Sequence, residues 1–315
     1  MRQLTVHKND ENQRLDKYLK KYLKEAPGSF IYKMLRKKNI VLNGKKADGT
    51  EKLCAGDEIK LFFAEETLEK FTGEAAKTET TRFPVKKDLE ILFEDENLLI
   101  LNKPAGELSQ KAEAKDVSMN EYALGYLQQS GAITEETLKV YKPSVCNRLD
   151  RNTSGILIVA KTYQAAREFG EALQKRTVRK YYHCIVKGEI KNSETIDGYL
   201  WKDEKTNKVQ IFKEKRDGAA EIHTAYRPIK SWNGLTLLEV HLITGRTHQI
   251  RAHLSSIGHP ILGDPKYGDK KLSERYKVKY QLLHAHRLEL DGFTGDFTKY
   301  NGQVITANTP KTFDI

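Results

Sequence analysis

Asp150 stands between two arginines, Arg148 and Arg151, in the stretch CNRLDRNTSGILIVAKT. A carboxylate held near guanidinium charge stays ionised, and an ionised, partly desolvated carboxylate can act as a nucleophile or a base. A polar Asn-Thr-Ser-Gly turn follows, then the apolar run Ile156, Leu157, Ile158, Val159. The second concentration of reactive types is LITGRTHQIRAHLSSIGHPILGDPKYG, with Arg246, His248, Arg251, His253 and His259. On a helix, His248 and His253 would project about 140° apart. No acid lies between them and arginines adjoin both, so a metal site is not expected. They read instead as residues that cap and brace a helix. Arg251 lies among Ile250, Ala252 and Leu254, and a cation in such company needs a carboxylate partner. If Arg251 reaches Asp150, the pair fits a structural salt bridge as well as an activated carboxylate.

Other chemistries lack their signatures. Ser154 sits in T-S-G-I, not in G-x-S-x-G. Neither G-x-x-x-x-G-K-[ST] nor G-x-G-x-x-G occurs, which disfavours ATP- and NAD-dependent reactions. Cys54, Cys146 and Cys184 are far apart with no C-x-x-C spacing. A disulfide framework or zinc site is therefore not expected, and the cytoplasm is the expected compartment. The first residues contain no apolar signal segment, and no apolar run approaches the roughly 20 residues of a membrane helix.

The elements that must carry these residues can be read from periodicity. The segment after Thr162 puts Ala165, Phe169, Ala172 and Leu173 on one helical face. ILIVAK reads as a buried strand, EILFEDENLLILNKPAG as two strands joined at Asp95-Glu96-Asn97, and KYYHCIVKG, KVQIF and LTLLEVHLI as three more. Helices and strands alternate irregularly, which predicts an α+β domain around a mixed, largely antiparallel sheet. Nearer the N-terminus, Leu15, Tyr18, Leu19, Tyr22 and Leu23 form one helical stripe. Ser29 is placed to cap a second helix, and Asn43-Gly44 reads as a tight turn. Residues 64–88 are charged and Thr-rich and read as a linker. The expected division is a small domain over 1–64, a linker over 65–88 and a larger domain over 89–315.

The formal net charge of +11 favours a polyanionic partner. Its distribution is more telling: residues 14–46 hold eleven Lys/Arg and two acids, a net +9. Arg36, Lys37 and Lys38 end one predicted helix, close to the basic turn at Lys45 and Lys46.

Two resemblances join these readings. RLDKYL, IYKMLRKKNIVLNGKK and AGDEIKL resemble the small RNA-binding domain first named for ribosomal protein S-four. NKPAG, NRLDRNTSGILIVAKT, VRKYYHCIVKG, LITGRTHQIRAHLSSIGHPILGDPKYG and LLHAHRLEL resemble the blocks of RluA-type pseudouridine synthases over about residues 90–292. The resemblance implies isomerisation of a uridine within RNA to pseudouridine, without cofactor or metal; a monomer is expected. It implies that Asp150 attacks the nucleotide, at the sugar or at the base. It implies that Arg251 pairs with Asp150 and that Tyr182 lies against the target base and helps remove the proton from carbon five. Arg148 would fill the gap left by the flipped-out uridine. Arg36, Lys37, Lys38 and Lys45 would bind RNA. Large-subunit ribosomal RNA is the first expected target and transfer RNA the alternative. Asn147 departs from the family, which has His there; Asn can hydrogen-bond but carries no charge. ELSQ, after NKPAG, also departs, and no RNA role is expected of it.

Overall fold

The structure is a computed structural model and describes residues 1–73, 82–203, 206 and 208–315. The N-terminal unit comprises β1 (Arg2–Thr5), α1 (Leu15–Tyr22), α2 (Gly28–Arg36), β2 (Ile40–Leu42), β3 (Lys45–Lys46) and β4 (Glu58–Leu61). Its sheet runs β1-β4-β2-β3. The apolar stripe of α1 is buried throughout, from Leu15 to Leu23. Asn43 and Gly44 both have positive φ, 49° and 71°, as a two-residue hairpin turn requires. Ser29 does not cap α2. The helix begins at Gly28, after Pro27 with φ −59°, and no side chain caps it; proline fixes the entry and leaves Ser29 inside the first turn.

The expected linker opens instead with a helix, α3 (Glu65–Thr72). Leu68 is buried in the N-terminal core, and the Phe71 ring packs 4.5 Å from that of Phe30. Two apolar side chains in a charged segment sufficed to dock it. Gly73, φ 72°, ends the helix. Residues 74–81 of the expected linker lie outside the described residues.

The larger unit comprises β5 (Ile91–Glu94), β6 (Leu98–Lys103), α4 (Met119–Gln129), α5 (Glu135–Val140), β7 (Ser144–Val145), β8 (Ser154–Ala160) and α6 (Tyr163–Lys175). It continues with β9 (Arg179–Lys187), β10 (Glu194–Asp203), β11 (Lys208–Phe212), β12 (Ala220–Trp232), β13 (Leu235–Leu242) and α7 (Gln249–Ser256). It closes with α8 (Lys270–Arg275), β14 (Leu283–Glu289) and β15 (Val304–Thr306). Among the described residues the sheet has 11 strands, in the order β11-β10-β12-β13-β9-β14-β8-β6-β5, with β15 on β14 and β7 on β8. The β14–β8 pair is parallel and the other pairs are antiparallel. This is the mixed, largely antiparallel sheet expected.

Strand β8 is buried along its whole length. Ile156 and Ile158 face a core shared with Phe169 of α6, while Leu157 and Val159 face Leu124 and Leu127 of α4. Burying each of these four side chains contributes about 1.5–3 kcal/mol, so β8 is a rigid floor. The expected T-S-G turn is the start of this strand. Gly155 has φ 110°, and a Cβ there would lie 2.2 Å from the Ala285 carbonyl oxygen. Only glycine lets β14 pair with β8 at that point, and the turn proper is Arg151-Asn152. The small unit packs against the large one through α1 and α5. Val140 is buried in the N-terminal core, and Lys21 Nζ sits 4.2 Å from the Tyr163 ring centre. Among the described residues no helix is long and apolar enough to cross a membrane.

Candidate active site

The loop between β7 and β8 hangs Asp150 over the end of the buried strand, and three groups pin that loop. Lys103, fully buried at the end of β6, donates from Nζ to the carbonyls of Pro104 (3.0 Å), Glu107 (2.7 Å) and Arg151 (2.9 Å). Burial lowers its pKa to about 8, against the opposing charges of Glu107 and Asp150. Ser109 Oγ accepts from the Leu149 amide and donates to the Leu149 carbonyl, both at 3.0 Å. Asn147 accepts the Ile158 N–H (2.8 Å) and donates to the Ile156 carbonyl (3.1 Å). Asn147 therefore extends the strand ladder by a side chain, a task that needs no charge. Ser109 lies in the ELSQ stretch, and its task is likewise to brace the loop.

Arg251 comes from the first turn of α7, on the far side of the sheet order. Its Nη1 donates to Asp150 Oδ2 at 2.7 Å. Its Nε and Nη2 donate to Asp264 Oδ2 and Oδ1 at 2.7 and 3.0 Å. Side-chain exposure falls from 27% at Asp150 to 5% at Arg251 and 0% at Asp264. Burial opposes both charges of the inner pair. The hydrogen bonds and mutual attraction outweigh it, raising the Arg251 pKa and lowering that of Asp264. Asp264 Oδ1 also accepts the amides of Lys266 (2.8 Å) and Tyr267 (3.0 Å). Asp264 is thus saturated and holds Arg251 in one geometry. Asp150 is not: its Oδ1 accepts no hydrogen bond from any described residue.

Asp264 was missed at the level of sequence. The available signal was that it is the one acid in the block Leu242–Gly268, the natural partner for an arginine among aliphatic residues.

Asp150, Arg148, Tyr182 and Arg251 line one cleft of about 940 Å³. Tyr182, on β9, is buried, and burial followed by the Asp150 charge pushes its phenol pKa up. Arg148 is exposed and makes no hydrogen bond to a described residue. His248 and Arg246 also line the cleft, but His253 turns away to Thr224, 3.0 Å from its hydroxyl. Among the described residues no three His, Cys, Asp or Glu side chains are gathered to hold a metal. Arg36, Lys37, Lys38 and Lys45 are exposed on the N-terminal unit and are not part of the cleft lining.

The comparisons with known proteins point to one family. The family model described as RNA pseudouridylate synthase matches residues 97–256, which include Asp150, Tyr182 and Arg251. A protein of Vibrio vulnificus named ribosomal large subunit pseudouridine synthase C is 35% identical over 284 residues, covering 87% of this chain and 83% of the relative. A namesake from Pasteurella multocida is 33% identical over 313 residues, covering 98% of this chain and 90% of the relative. The solved structure of human RNA pseudouridylate synthase domain containing 4 shares the fold, with a TM-score of 0.56 at 24% identity over 71% of this chain and 90% of that one. The chain belongs to the RNA pseudouridylate synthase family and is an RNA-modifying isomerase.

Proposed function

We propose that the chain isomerises uridine in large-subunit ribosomal RNA, using Asp150 as nucleophile on a nucleotide swung out of its stack. The observation that carries the reading is the Asp150–Arg251 pair. One carboxylate oxygen is held at 2.7 Å by a buried guanidinium, and the other is unspent, on a cleft of about 940 Å³. Extruding a base costs a few kcal/mol, and exposed Arg148, two residues away, can stack or contact phosphate in its stead. Asp150 bonds to the nucleotide, the bond from sugar to N1 breaks, the base turns, a bond from the sugar to carbon five replaces it, and the bond to Asp150 breaks to return the free carboxylate. The proton lost from carbon five is balanced by one gained at N1. Tyr182 forms one wall for the base. Because its phenol is held protonated, it can relay a proton from carbon five only by giving up its own in the same step.

The target class rests on the names of the relatives, which are ribosomal large-subunit synthases. We read the N-terminal unit as the RNA-binding domain of the S-four type, with Arg36, Lys37, Lys38 and Lys45 contacting phosphate. The test is tritium release from transcripts carrying uridine labelled at carbon five. Unmodified large-subunit ribosomal RNA is expected to release tritium and a pool of transfer RNAs is not. Release from transfer RNA alone would overturn the target.

A further inference from the structure

His248 was singled out in the sequence, but neither capping nor metal binding accounts for it. It occupies the N-cap position of α7 with φ 54° and ψ 16°, yet its side chain caps nothing. A left-handed backbone at a non-glycine residue is strained and is retained where the surroundings impose it. Here the surroundings fix the ring. His248 Nδ1 lies 3.0 Å from the Tyr267 hydroxyl, and that oxygen already accepts the Val209 amide at 3.0 Å. The hydroxyl proton has no other acceptor among the described residues, and pointing it at Nδ1 assigns the ring proton to Nε2. Tyr267 is itself fixed by Asp264, the carboxylate that holds Arg251.

Nε2 is 3.9 Å from Asp150 Oδ2, too far for a hydrogen bond, and makes no hydrogen bond to a described residue. The side chain is 8% exposed and lines the same cleft. A donor is therefore built into the cleft beside the nucleophile and left unspent. We propose that His248, as the neutral Nε2–H tautomer, donates a hydrogen bond to an oxygen of the target nucleotide, with Tyr267 as the residue that sets its tautomer. Uridine offers two such oxygens near the bond that breaks, the ribose 2′-hydroxyl and the uracil O2. The charged groups around the ring are Asp150, Arg251, Lys266 and Asp264. Burial lowers the His248 pKa, and Asp150 only partly opposes this. Neutrality matters, because an imidazolium would pair with Asp150 and quench it.

The inference rests on Asp150 being the nucleophile, and the experiment separates the two. Asn tolerates the left-handed backbone but its amide stops at the Nδ1 distance; Gln reaches to Nε2. On a large-subunit ribosomal RNA transcript labelled at carbon five, His248→Asn is expected to lower kcat about 10²-fold, the scale of losing one preorganised donor. KM should stay within about three-fold, the signature of an interaction made only in the transition state, and His248→Gln should recover part of the loss. Tyr267→Phe should lower kcat less, and Tyr267→Phe with His248→Asn should be no worse than His248→Asn alone. Nitrogen-15 NMR of the free enzyme should report Nε2–H in the wild type and a shifted tautomer in Tyr267→Phe. Wild-type kcat in His248→Asn, independent losses that multiply, or an Nδ1–H tautomer in the wild type would overturn the proposal. Asp150→Asn, run beside them, reports on the nucleophile whatever His248 does.

Discussion

The cleft and the basic face of the N-terminal unit are both rich in cationic side chains, and they treat them in opposite ways. In the cleft, Arg251 spends three of its donors on two carboxylates and is almost wholly buried. On the small unit, Arg36, Lys37, Lys38 and Lys45 are exposed. Chemistry on one atom needs a charge fixed to a fraction of an ångström, and burial with full pairing supplies that. Attraction of a polyanion needs only charge density, and long solvated side chains provide it without fixed geometry. Damage to the first should therefore act on rate, and damage to the second on affinity.

Apart from the nucleophile itself, the largest departure is expected at Asp264. Asp264→Asn removes the charge that fixes Arg251 and leaves the buried guanidinium with the Asp150 carboxylate alone, at a cost of up to about 3–5 kcal/mol. Single-turnover tritium release should slow by about 10²-fold or more, and the urea midpoint should fall. A variant with unchanged rate would show that Arg251 needs no fixing. The basic face should behave differently. Replacing Arg36, Lys37, Lys38 and Lys45 by Ala should weaken RNA binding while leaving the rate at saturating RNA unchanged. The slope of log affinity against log salt should flatten by about 0.7–0.9 for each phosphate that is no longer neutralised. An unchanged slope would make that face solvated surface and no more.

The smallest effect concerns pH and involves neither region directly. His183 and His284 flank the floor on β9 and β14, and burial is the main cause lowering both pKa values to about 4. An unfolded histidine protonates near 6.5, so between about 6.5 and 4 the unfolded chain binds more protons. Stability should therefore fall as pH drops through that window. Urea midpoints measured across it should decline in the wild type and decline less in His284→Gln.

Much of this was legible in the sequence, for identifiable reasons. Strand β8 and helix α6 announced themselves because a continuous apolar run and a 3.6-residue stripe are both strong local signals. Arg251 was legible because an arginine among aliphatic residues demands a partner. What escaped depended on distant chain. Asp264 meets Arg251 across a turn 13 residues on. Helix α3 was hidden because only Leu68 and Phe71 mark its buried side. The departures at Asn147 and in ELSQ carry no visible task in the sequence, whereas the hydrogen bonds of Asn147 and Ser109 to the Ile156, Ile158 and Leu149 backbone make them braces for the Asp150 loop. The role of Gly155 could not be read from T-S-G, because the atom it makes room for is the Ala285 carbonyl, far along the chain.

The most direct test is Asp150→Asn under single-turnover conditions, with RNA affinity measured on the same transcript. The side chain keeps its size and can still accept a hydrogen bond from Arg251. Tritium release should vanish while affinity stays within about three-fold, as expected of a group that acts only after the RNA is bound. Release at the wild-type rate would contradict the account at its root.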